Sequence, residues 1–159
     1  MKAKTLNEGD SLPEFQLLST SGLTITNKDT EDKNIIIFIY SKNDTSSCTK
    51  EAKSFSDCHQ NFLDLDVKIF GVSRDTVASH KKFSSKYSLN LELLSDENAE
   101  FICNVGSWVE KSMYGKKYMG IDRTTILISK DGKVLKIWRK VRVPGHVPEV
   151  LNFVKEKFS

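Results

Sequence analysis

The sequence predicts an α/β fold, a mixed central sheet flanked by helices, within one domain covering residues 1–159. Three observations carry this. Apolar runs of strand length alternate with stretches of helical period. The run Asn34-Ile-Ile-Ile-Phe-Ile-Tyr40 is apolar at successive positions, as a strand covered on both faces must be. Asp131-Gly132 is a strong hairpin signal between two apolar segments. With 38% hydrophobic residues in 159, the chain can fill one core of ordinary size. The formal charge is only +3, and the longest apolar run, Ile35 to Tyr40, falls far short of the roughly 18 residues of a membrane-spanning helix.

In chain order, Leu12 to Leu18 and Leu23 to Thr26 flank Ser21-Gly22 and predict an N-terminal hairpin. The buried strand 34–40 follows. Ala52, Phe55, Cys58, His59 and Phe62 recur at helical spacing. Val67 to Ser73 predicts a second strand. Asp75 is a candidate N-cap for a helix carrying Val77, Phe83 and Tyr87. A short strand near Leu93 and Leu94 precedes a helix from Asp96 through Phe101. Thr124 to Ile128 and Val134 to Val143 form the strands of the 130–133 hairpin. Val147, Val150, Leu151, Val154 and Phe158 share one face of a final helix. A β-α-β unit followed by a β-hairpin and a last helix is the thioredoxin arrangement, with the first hairpin as an extension and the other elements as insertions.

The informative stretch is Tyr40-Ser-Lys-Asn-Asp-Thr-Ser-Ser-Cys-Thr-Lys-Glu-Ala52, which joins the buried strand to an amphipathic helix. Ser46 and Ser47 are candidate N-caps and Glu51 an acid for the first turn. Cys48 then falls among unpaired backbone N–H groups at the positive end of the helix dipole, a setting that favours thiolate over thiol and can bind an oxygen gaining charge. The alternative is a small packed core residue, since free cysteine is often buried. The polar neighbours Ser, Ser, Thr and Lys argue for an accessible, reactive thiol. Three cysteines without metal-ligand spacing make neither a disulfide framework nor a zinc site. Met1 to Phe15 carries Glu8, Asp10 and Glu14 and no apolar export segment, so the expected compartment is the cytosol.

The stretch resembles the active-site loop of the peroxiredoxins, whose hallmark is P-x-x-x-T-x-x-C, and within them the bacterioferritin-comigratory or Q-type subfamily. Thr45-Ser-Ser-Cys-Thr-Lys-Glu-Ala52 is similar to its loop–helix junction, and Gly71-Val-Ser-Arg-Asp75 with His80 and Phe83 to its next strand–helix unit. Lys111 to Thr125 with Ile126-Leu-Ile128 resembles its arginine-bearing segment, and Trp138 to Val143 with Gly145-His146 its terminal strand and helix start. The resemblance implies a thiol peroxidase acting on hydrogen peroxide and organic hydroperoxides, with no metal, haem or flavin. Cys48 would be the peroxidatic cysteine that becomes a sulfenic acid, Thr45 would orient the peroxide, and Arg123 would stabilise the developing charge. A thioredoxin-like protein or small thiol would be the reductant, and the chain a monomer or weak homodimer.

The sequence departs from that pattern at three places. Ser41 stands where the hallmark has proline, Ser46-Ser47 where the subfamily often has Pro-Gly, and Lys53 where many members carry a resolving cysteine. Cys58 is the remaining candidate resolver, ten residues on and roughly 15 Å away along an intact helix; Cys103 is another. The competing reading is a redox sensor or degenerate peroxiredoxin that signals by binding rather than turnover. Between Lys111 and Arg142, ten basic residues face only Asp122 and Asp131. Strand alternation makes these a solvated sheet face without nucleic acid or membrane as partner, with Trp138 as the odd residue on the polar side. His80 and His146 are read as structural or surface residues, and His59 as a packed one.

Overall fold

The computed structural model describes residues 6–158; of the predicted 1–159 domain, residues 1–5 and 159 lie outside it. The strand that carries the continuous apolar run, β3 (Asn34–Ile39), sits inside the sheet with all six residues buried. Its side chains alternate between two cores. Ile35, Ile37 and Ile39 enter one, and Ile36 and Phe38, with Tyr40 beyond the strand end, enter the other.

Around it lie β1 (Gln16–Ser19), β2 (Thr24–Thr26), β4 (Val67–Ser73), β5 (Glu92–Ser95), β8 (Thr124–Ile128) and β9 (Val134–Trp138), in the spatial order β2-β1-β5-β4-β3-β8-β9. Strands β3, β4 and β5 are parallel, as crossover helices require, while β8, β9 and the N-terminal hairpin add antiparallel edges. Helices α1 (Ser46–Leu63), α2 (Val77–Tyr87) and α4 (His146–Phe158) supply Phe55, Phe62, Phe83, Val147, Val150 and Val154 to the core of one face. The short α3 (Glu100–Asn104) covers the other with Phe101 and Ile102. This is the mixed sheet flanked by helices that the pattern predicts.

Several boundaries differ from expectation. Helix α2 is capped by Thr76, whose hydroxyl accepts from the Ser79 amide at 3.1 Å; Asp75 instead accepts from the Asn43 amide and the Ser73 hydroxyl. Helix α3 begins at Glu100, after Asp96, whose carboxylate nevertheless accepts from the Phe101 and Ile102 amides. Strand β9 ends at Trp138 rather than Val143. Arg139 turns inward to donate to the carbonyls of Leu6, Val105 and Gly106, and Lys140 takes a left-handed φ of 49°. Trp138 is not on a polar face: its ring packs edge-on against His146 and Phe153.

The segment 108–121, given no element from the sequence, is a separate two-stranded hairpin, β6 (Trp108–Met113) and β7 (Lys116–Ile121). Tyr114 and Gly115 both have positive φ, the geometry that closes a two-residue turn. No helix among the described residues is long and apolar enough to cross a membrane.

Gly71, in the middle of β4, is where backbone must approach side chains. A Cβ there would lie 2.8 Å from both Leu93 Cδ2 and Phe38 Cζ. Gly71→Ala is therefore expected to destabilise the protein by about 1–3 kcal/mol through overpacking, measured by urea denaturation.

Candidate active site

The register of β3 against β8 decides what meets at the end of the sheet. Ile39 is the Cα partner of Thr124, so the chain leaving β3 and the residue entering β8, Arg123, emerge side by side. Eight residues after Tyr40, Cys48 lies in the first turn of α1. Arg123 Nη2 donates to Cys48 Sγ at 3.2 Å, bringing together two residues 75 positions apart in sequence.

Arg123 has a second partner. Its Nη1 donates to Glu51 Oε1 at 2.7 Å. Glu51 is not in the first turn of α1 but one turn further in, fully buried, and its Oε2 has no hydrogen-bond partner among the described residues. Burial pushes the Glu51 carboxyl up to about 7 despite the adjacent guanidinium. Burial also works against the charge of Arg123, but Glu51 and Cys48 outweigh it and hold the guanidinium above its ordinary range. The sequence offered a signal for Glu51: three residues after Cys48 on a helix, the two side chains share a face.

Thr45 is the N-cap of α1, displacing Ser46 and Ser47 into the helix itself, and its side chain makes no capping bond. Its exposed hydroxyl donates to the Lys42 carbonyl at 3.2 Å. Cys48 is not the open thiol expected from its polar neighbours. It is 1% exposed, packed into the same core as Ala52 and Phe55, with Arg123 as its polar contact. Sequence polarity misled here because the Ser and Thr side chains around it project outward while the cysteine turns inward.

Cys58 and Cys48 are not brought together. Both lie on the unbroken α1, and Cys58 is half-buried beside the apolar core. Cys103 is in α3, whose neighbours Phe101 and Ile102 pack on the opposite face of the sheet from Cys48. All three cysteines are free. His59, His80 and His146 are all buried and hydrogen-bonded, so neither of the last two is a surface residue.

A thioredoxin-type sheet with one cysteine at a helix amino terminus, its sulfur held by an arginine from a neighbouring strand, defines the class of thiol-dependent peroxidases. The AhpC/TSA family model matches residues 9–137. Peroxiredoxin Bcp of Bacillus subtilis is 40% identical over 152 residues, covering 96% of this chain and 97% of that protein. The Xanthomonas campestris bacterioferritin comigratory protein superposes with a TM-score of 0.87 at 35% identity, over 91% of this chain and 92% of that one. A Xylella fastidiosa PrxQ structure does so with a TM-score of 0.92 at 30% identity, over 99% and 100%. The chain belongs to the AhpC/TSA family, among its Bcp/PrxQ peroxiredoxins.

Glu51 makes stability depend on pH. Its folded pKa of about 7 lies above the ordinary 4.5, so the folded state binds the extra proton between these values. Its contribution is complete below pH 4.5 and lost as pH rises through about 7, a change of up to about 3 kcal/mol. Glu51→Gln should flatten the fall in urea-unfolding free energy across that window relative to wild type.

Proposed function

We propose that the protein is a one-cysteine thiol peroxidase in which Cys48 attacks the peroxide and Arg123 stabilises the charge that moves. The observation that carries this is the 3.2 Å contact from Arg123 Nη2 to Cys48 Sγ at the amino end of α1. In the reaction the Cys48 thiolate attacks one peroxide oxygen. An S–O bond forms as the O–O bond breaks, giving a sulfenic acid, and the departing oxygen takes a proton and leaves as water or alcohol. Negative charge passes from sulfur to the departing oxygen, and a fixed guanidinium with helix N–H groups favours that redistribution. In this reading Thr45, the N-cap of α1, orients the peroxide, its hydroxyl exchanging the Lys42 carbonyl for the substrate.

Reduction of the sulfenic acid falls to an external thiol. Cys58 lies ten residues along an intact helix, roughly 15 Å away, whereas a disulfide needs Cα atoms within about 7 Å. The reductant in this reading is a small thiol or a thioredoxin-like protein. Free cysteines favour a reducing compartment, the cytosol. One seven-stranded sheet from the N-terminal hairpin to β9 supports a single domain, and the reading takes the chain as a monomer or weak homodimer.

With dithiothreitol as reductant, the protein should consume many equivalents of hydrogen peroxide or organic hydroperoxide, and Cys48→Ser should abolish turnover. Arg123→Ala should lower the rate constant for Cys48 oxidation by about 10²–10³-fold, the usual loss for one positioned charge-stabilising donor. Cys58→Ser should leave dithiothreitol-supported turnover intact. Mass-spectrometric mapping after one equivalent of peroxide should find no internal disulfide in the monomer; finding one from Cys48 to Cys58 or Cys103 would replace the one-cysteine cycle.

A further inference from the structure

Of residues 41–47, which carry the chain from β3 to Cys48, only Asn43 is buried. Its side-chain amide is bonded at both ends. Tyr40 donates its hydroxyl to Asn43 Oδ1 at 2.6 Å, and Asn43 Nδ2 reaches His80 Nδ1 at 3.1 Å and Ser79 Oγ at 3.1 Å. The backbone N–H of Asn43 donates to Asp75 Oδ2 at 2.9 Å. The His80 tautomer follows from its other nitrogen. Nε2 lies 3.0 Å from the Leu94 carbonyl, which can only accept, so Nε2 carries the proton and Nδ1 accepts from Asn43. The next residue, Asp44, takes a left-handed φ of 65° and binds Lys86 Nζ at 2.6 Å and the Tyr87 hydroxyl. Helix α2 thus grips two successive loop residues, and α1 begins two residues later.

We propose that Asn43, locked by Tyr40, Ser79, His80 and Asp75, is a positioning residue that fixes the Cys48 loop, and with it the first turn of α1, against Arg123. Ser41 occupies the place where the hallmark proline would restrict the backbone; here hydrogen bonds to the second helix supply the restriction. Asn43 touches no reacting atom and acts through where it holds the loop. The groups facing His80 are Tyr40 just beyond β3, Asn43 from the loop, Asp75 from the β4–α2 connection and the Leu94 carbonyl from β5. Burial holds His80 below the ordinary histidine range, with the Asp75 charge opposing, so the ring stays neutral where the acceptor at Nδ1 is needed.

The proposal rests on Cys48 as the attacking thiol for its kinetic readout but not for its second one. The test uses the full chain with Cys58 and Cys103 replaced by serine, and measures two rates across pH: single-turnover oxidation of Cys48 by hydrogen peroxide, and alkylation of Cys48 by iodoacetamide. Asn43→Leu should slow oxidation by about tenfold or more at every pH while speeding alkylation of the buried sulfur by a similar factor, as a released loop both uncovers and misplaces it. Asn43→Asp separates positioning from general damage. The introduced carboxylate can accept from Tyr40, but it bonds His80 Nδ1 only when that nitrogen is protonated. N43D should therefore approach the wild-type oxidation rate at acid pH and fall about tenfold below it at alkaline pH, crossing where His80 titrates. If N43L does not fold, the N43D profile carries the test. Alkylation and oxidation within twofold of wild type, or an N43D profile parallel to wild type, would overturn the proposal. A wild type that is alkylated at Cys48 but not oxidised by peroxide would instead refute the peroxidase reading, leaving the alkylation comparison to judge the latch.

Discussion

Everything at this site depends on one guanidinium shared between a carboxylate and a sulfur below the protein surface. A planar fork with donors on two nitrogens can hold two partners in fixed directions, which a lysine ammonium cannot. Arg123 uses one nitrogen on Glu51 and the other on Cys48, and the two partners lie three residues apart on α1. The helix thereby presents both to the same side, and the antiparallel register of β3 with β8 delivers the arginine to meet them. The contact is a consequence of sheet order and helix period acting together, with neither sufficient alone.

Burying that ion pair works against stability as much as for it. Desolvation of Glu51 outweighs its attraction to Arg123, and one carboxylate oxygen has no hydrogen-bond partner among the described residues. A pair of this kind is poor as a stabilising device and good as an orienting one. With its carboxyl pushed up to about 7 by burial, Glu51 aims the guanidinium through one of its nitrogens. The other nitrogen of the guanidinium faces Cys48, where the proposed reaction would draw on its charge.

The β-branched run of β3, the two helix stripes of α1 and α4 and the Asp131-Gly132 turn were legible because each expresses a local period or a specific turn chemistry. Cys48 and Arg123 were legible as members of ordered motifs, although nothing in spacing alone places them 3.2 Å apart. What the sequence hid was tertiary. The β6–β7 hairpin has no strong alternation, carrying exposed Met113, Tyr118 and Met119 among lysines, so strand period is absent where both faces meet solvent. Trp138 looked misplaced because a bulge between Leu127 and Ile128 shifts the pairing of β9 and changes which residues face α4. The burial of Cys48, Glu51 and Asn43 amid polar neighbours reflects a loop pulled down onto α2, which composition cannot show.

The same helix whose amino end carries Cys48 also keeps it apart from Cys58. An amino terminus has its full complement of unpaired N–H groups and dipole only when the turns behind it are intact. Here α1 continues unbroken for 18 residues and carries Cys58 on its buried side. Unwinding enough of α1 to join Cys58 to Cys48 would remove Ala52 and Phe55 from the core beneath the sheet and separate Glu51 from Arg123. A disulfide between these two cysteines would thus take apart the arrangement that joins Arg123 to Cys48 and Glu51, which supports the proposed use of an external reductant.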